Sequence, residues 1–272
     1  MPLLLEKGHT VVAGLRGGQE RLEKLFNEEL KKYPGRLHAI DLHLEKSSDF
    51  GRLAELLDAR FDGRLDVLIN NAGYGLMGIL EDQSEEQIRH QMEINFMGTA
   101  LLTRALLPAL RKARGRILSV TSLAGLAAFP FYGTYSASKF AVEGLMETLY
   151  YDLKPFGVQV GMIEPGGFRT DFVKAKVFGV QSNSPSSPYY SRTQAFLRVF
   201  EMSSSRLDDP MKVARLISSL CDRRRLRLRN VIGRDAWLVR VMQKTLPECV
   251  RLALIDRVFS FALARAKPKR SS

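Results

Sequence analysis

Tyr135 and Lys139 stand four residues apart, a spacing that puts both on one face of a helix. The residues after them, Phe140 to Leu149, carry apolar side chains at roughly helical intervals, so a helix is the expected local structure. A free phenol titrates near pH ~10 and is a poor acid or base at neutral pH. An ammonium beside it favours the phenolate and brings its proton within reach of an alcohol or carbonyl oxygen. The bare pattern is common, and its bland alternative is a tyrosine covering a lysine stem. Its weight depends on the elements around it.

Those elements alternate. Strands are expected at Thr10–Leu15, Leu37–Leu42, Leu65–Asn70, Arg116–Thr121 and Val158–Ile163, with a short last strand near Asn230–Gly233. Helices are expected between them: from Gln19 to about Tyr33, from a cap at Ser47 or Ser48 to about Arg60, and from the capping box at Ser84 to about Ala113, bent near Pro108. Such alternation argues an α/β fold, a three-layer doubly wound parallel sheet covered on both faces. The candidate chemical residues then fall at the carboxyl ends of strands, where open α/β sheets bind ligands. Beyond Asp171 the pattern loosens into a turn-rich loop at 182–188 and helical segments near 190–201 and 210–220. A single domain over 1–272 is expected: a nucleotide-binding and catalytic core to 175, a lid over 176–228, and a last strand with basic helices over 229–272.

Composition narrows the function. The 272 residues are 45% hydrophobic, enough for a full core. No apolar run reaches the length of a membrane span, and Met1–Leu5 lacks the marks of a signal peptide. Two cysteines and four scattered histidines argue against a disulfide framework and a zinc site, and point to a cytoplasmic setting. The net charge of +12 sits mostly in the tail, where Cys221 to Ser272 holds 14 Lys or Arg against 4 Asp or Glu. A solvated surface, an anionic-membrane contact and a nucleic-acid patch are the competing readings; no nucleic-acid motif accompanies the charge.

Four further stretches complete the pattern: Asn70-Asn71-Ala72-Gly73, Asn95 within Ile94–Gly98, Ser122, and Pro165-Gly166 leading to Thr170. With Tyr135 and Lys139, in this order and spacing, the sequence resembles the short-chain dehydrogenase/reductase family over roughly residues 8 to 175. The resemblance implies an oxidoreductase that interconverts an alcohol and a carbonyl with a nicotinamide cofactor. It makes Tyr135 the general acid/base, Lys139 its partner and a holder of the nicotinamide ribose, Ser122 a hydrogen-bond donor to the substrate oxygen, and Asn95 the holder of a relay water. Asp41 and Leu42 would flank the adenine. Asn71, Ala72 and Gly73 would pass close to the adenosine side, and Pro165, Gly166 and Thr170 would wall the nicotinamide. Arg16, where a carboxylate would select NAD(H), implies NADP(H). A homodimer or homotetramer paired through the long helices is implied too.

One departure stands against the family pattern. Members open on a strand and the turn Thr-Gly-x-x-x-Gly-x-Gly, which holds the cofactor pyrophosphate at a helix N-terminus. Here Leu3–Val12 reads as the end of that helix entering the second strand, so the fold is expected to be N-terminally truncated by roughly 20 to 30 residues. Orphaned strand edges at Val11 and Val67 would result. A catalytically silent binding protein is the alternative function. Apolar residues after Thr170 (Phe172, Val173, Val177, Phe178, then Phe196, Leu197, Val199 and Phe200) suit a hydrophobic lipid-, retinoid- or steroid-like substrate, or simply pack the lid. The mixture of apolar and basic residues over Trp237–Ala264 suits a peripheral membrane contact.

Overall fold

A computed structural model describes residues 1–170, 176–204 and 207–266. Phe172 and Val173 therefore lie outside the described residues. The chain begins with a short helix, α1 (Pro2–Glu6), which buries Leu5. It then alternates: β1 (Val11–Leu15), α2 (Gly18–Lys32), β2 (Leu37–Asp41), α3 (Ser47–Phe61) and β3 (Val67–Asn70). A two-residue strand β4 (Leu76–Met77) leads to α4 (Glu85–Met92) and α5 (Gly98–Ala113). Next come β5 (Arg116–Val120), α6 (Gly133–Asp152) and β6 (Gln159–Pro165). The last third holds β7 (Val177–Phe178), α7 (Tyr190–Ser204), α8 (Met211–Asp222), β8 (Arg229–Ile232), α9 (Arg234–Thr245) and α10 (Glu248–Arg265).

All principal strand pairings are parallel, as βαβ crossovers require. The main sheet runs β3-β5-β6-β8, and among the described residues β1 pairs only with β2, in a separate two-stranded sheet. β1 and β3 do not pair. Between them lies a cavity of about 800 Å³ lined by Val11, Val12 and Leu15 on one side and by Val67, Leu68 and Ile69 on the other. The main core is aliphatic, with Leu102, Leu106 and Leu110 of α5 meeting Ile117 and Val160 of the sheet and Val142 and Met146 of α6. A smaller cluster, Leu5, Ala13, Leu22 and Leu37, holds the two-stranded sheet.

Three local expectations change. Neither Ser47 nor Ser48 caps α3, whose cap residue is Lys46. Asp49 organises that start, its carboxylate accepting from the His43 amide at 2.9 Å and from Arg52 at 2.6 Å. The helix from Ser84 keeps its capping box. It widens at Glu93–Met97 into a π turn between α4 and α5, and α5 carries Pro108 within it. The pairing of β4 with β7 is a third addition: two residues each, too short for a sequence signal.

Candidate active site

Tyr135 is the third residue of α6, and Lys139 follows one turn later. Both are buried, at 6% and 7% exposure. Ser122 ends the segment after β5, where its hydroxyl accepts from the Ala124 amide at 3.1 Å and caps a short turn. The same hydroxyl is hydrogen-bonded to Tyr135. The strand-end cap and the contact with the tyrosine are thus one arrangement: capping fixes the serine where the phenol meets it.

Lys139 Nζ donates to the Val120 carbonyl at 3.1 Å and lies 5.8 Å from the centre of the Tyr135 ring. Burial brings the Lys139 ammonium down to about 8, an effect the Glu143 carboxylate opposes. Burial also pushes the Tyr135 phenol up to about 12, and the bond from Ser122 only partly offsets it. Here the phenol lies above its ordinary value rather than below it: removal from water dominates, and the hydrogen bond with Ser122 is what opposes it.

Asn95 sits in the π turn, where one extra residue breaks the regular helix ladder. Its Nδ2 donates to the Tyr74 carbonyl at 2.9 Å and to Ser138 Oγ at 3.1 Å, and its Oδ1 accepts from the Tyr74 amide at 3.1 Å. Ser138 in turn donates to the Tyr135 carbonyl at 2.7 Å. One buried amide thus ties the loop after β3 to the helix of Tyr135. Gly73 closes the circle: a Cβ there would lie 3.0 Å from Asn95 Oδ1 and 3.8 Å from Lys139 Nζ. Asn71 and Ala72, exposed beside it, line the end of the cavity between the sheets, together with Leu42.

The other expected contacts are spread around this centre. Asp41 is exposed and accepts from the Gly17 amide at 2.9 Å, holding the turn after β1. Arg16, also exposed, sits 3.4 Å from Glu45. Pro165 ends β6, and the Gly166 amide donates to the Ile232 carbonyl at 2.9 Å. Asp235 on α9 accepts from the Gly167 amide at 2.6 Å and leaves no room for a side chain at Gly166. The Thr170 amide donates back to Phe168 at 2.9 Å. Phe196 of α7 is buried and stacks on Phe131 at 4.3 Å, while Val177 is exposed. Phe196 thus follows the packing reading.

Sequence reasoning missed a charge cluster behind Lys139. Glu143 is one turn further along α6 and is buried, as is Glu164 on β6. Both pair with Arg229 of β8, Glu164 at 2.8 Å. Burial and the second carboxylate push the Glu143 carboxyl up. Glu143 was legible as the next i+4 position after Lys139; its partners come from distant strands and left no local signal.

The short chain dehydrogenase family model matches residues 2–178. The chain belongs to the short-chain dehydrogenase/reductase family. It is 32% identical to the 3-ketodihydrosphingosine reductase of Bacteroides thetaiotaomicron, over 85% of this chain and 81% of that protein. A short-chain dehydrogenase from Streptomyces avermitilis has the same fold, with a TM-score of 0.77, 31% identity and coverage of 98% of this chain and 93% of that one. A short-chain dehydrogenase from Shigella flexneri, solved with NADP, gives a TM-score of 0.66 at 25% identity, covering 85% of this chain and 90% of that one. As a member, this chain is an NAD(P)-dependent oxidoreductase of alcohols and carbonyls.

Proposed function

We propose that the chain interconverts a hydrophobic alcohol and its carbonyl with NADP(H), using Tyr135, Lys139, Ser122 and Asn95. The observation that carries this reading is the contact of the Ser122 hydroxyl with a buried Tyr135, backed one turn later by Lys139. The residues fit a nicotinamide cofactor at its two ends. Gly73 makes a cradle against Asn95 and Lys139 that a Cβ would fill, and Asp41 ends β2, with Leu42 next, where an adenine would rest. Asn71 and Ala72 would hold the adenosine side, and Pro165, Gly166 and Thr170 the nicotinamide face.

The bound nicotinamide supplies or accepts the hydride. Tyr135 gives its proton to the carbonyl oxygen, or takes one from the alcohol in reverse. Ser122 orients that oxygen and stabilises its developing charge. Lys139 stands ready to hold the ribose hydroxyls and to favour the phenolate as it forms. Asn95 positions the loop and α6, and would hold the relay water. Arg16 favours a 2′-phosphate, with Glu45 as its present competitor. The similarity to a ketodihydrosphingosine reductase supports a lipid-like substrate. The family's habit of oligomerising supports a homo-oligomer.

Tyr135→Phe should lower turnover of a long-chain ketone by roughly 100- to 10,000-fold while NADPH binding persists. Undiminished turnover would sink the mechanism, and a clear preference for NADH would sink the cofactor assignment. The gap between β1 and β3 favours a second reading, a silent dinucleotide-fold binding protein. Absence of NADPH binding by the folded chain, read by ligand fluorescence, would favour it.

A further inference from the structure

Helix α10 is apolar on two opposite sides, and among the described residues protein covers only one of them. Its inner side packs on the lid: Phe259 stacks with Phe196 at 6.4 Å, and Leu263 is buried beside Phe131 and Phe196. The opposite side carries Val250, Leu254, Val258 and Phe261, spaced i, i+4, i+8 and i+11, which is one helical face. All four are exposed, Val258 at 66% and Phe261 at 61%. The stripe runs for roughly 17 Å at 1.5 Å per residue. A monomer in water gains nothing from presenting such a stripe, so a covering partner is called for.

The charges around the stripe choose the partner. Arg257 and Arg265 fall on the same face, and Arg265 lies 4.9 Å over the ring of Phe261. The helix's two acids, Glu248 and Asp256, fall outside it. Lys267, Lys269 and Arg270 follow directly in sequence. Apolar side chains bracketed by arginines, with basic residues continuing, match an anionic lipid surface: the side chains enter the acyl boundary and the cations meet the headgroups. No helix among the described residues is long and apolar enough to cross a membrane, so such contact lies along the surface.

We propose that the outer face of α10 docks on anionic membranes, setting the lid side of the molecule against the bilayer. This goes beyond the oxidoreductase reading and does not rest on it, because binding is measured without turnover. The full chain would be sedimented with vesicles of phosphatidylcholine alone and of phosphatidylcholine with phosphatidylglycerol. Binding is expected only to the anionic vesicles, with a loss of 10-fold or more between about 0.1 M and about 1 M salt. The double variant Val258→Asp/Phe261→Asp should bind at least 10-fold more weakly with its circular dichroism unchanged. Leu25→Asp, an exposed apolar site on α2, should bind like the parent. Equal binding by the double variant, or no binding by the parent, overturns the proposal. A dimer that the double variant splits, without loss of vesicle binding, overturns it in favour of a second copy.

Discussion

Lys139 carries a cost that the Tyr-Lys pattern does not reveal. Its side chain is buried, and its ammonium titrates at about 8 against an ordinary value of 10.5. Below about pH 8 both folded and unfolded chains hold the proton, and the folded chain bears the full penalty of desolvation. Between about 8 and 10.5 the unfolded chain binds more protons, so this group's contribution to stability rises with pH. Above that window the penalty is gone. Lys139→Met should therefore stabilise the fold at pH 7 by on the order of 3 kcal/mol, or roughly 5–10 °C in Tm, while abolishing turnover. The gain should disappear near pH ~10.5 in calorimetry. A variant less stable than the parent at pH 7 would show that the lysine's contacts with Val120 and Glu143 outweigh its desolvation.

The elements matter through their irregularities. Asn95 lies within the π turn that interrupts the helical run from Ser84 to Ala113. The π turn aims it at Tyr74 and Ser138, so one side chain clamps a loop to a second helix. Gly73 completes that joint by staying small. Gly73→Val should push the loop off Asn95 and Lys139 and cut kcat/KM by roughly 100-fold, the scale of an ångström-sized misplacement. Thermal stability should fall far less than for a core truncation, because Gly73 is exposed. Equal losses of activity in Gly73→Val and in a remote loop variant would show that the Asn95 clamp does not depend on a small residue at 73.

Across the whole molecule, the split sheet divides the fold into unequal parts. β3, β5 and β6 share a large aliphatic core that Val12 of β1 and Ile40 of β2 reach only as partly buried neighbours, whereas the residues that the two-stranded sheet buries fully belong to the small cluster around Leu5, Leu22 and Leu37. Two-stranded sheets are marginal alone, and among the described residues the facing edges of β1 and β3 have no strand partner across the cavity. Amide hydrogen exchange should therefore release segments 11–15 and 37–41 well before 116–120 and 159–165, by a factor of 10 or more. Simultaneous release would mean that the two sheets open as one cooperative unit. Ligand that fills the space beside Leu42 and Asn71 should slow the first pair most.

Much of this architecture was visible in the chain. Alternating apolar runs marked every principal strand and helix, because backbone pairing and burial follow local periodicity. The Tyr135–Lys139 spacing, the Ser84 capping box and the sparse glycine loop after β3 are likewise short-range facts. Three features came only from the way distant segments meet. Burial of the Tyr135 phenol reverses the shift that its neighbour's charge predicts, since desolvation depends on everything packed around a group. The Arg229 cluster joins α6, β6 and β8, which lie far apart in sequence. The two sides of α10 look alike as residues, and only folding settles which one packs on Phe131 and Phe196, because burial is a property of the neighbours rather than of the side chain.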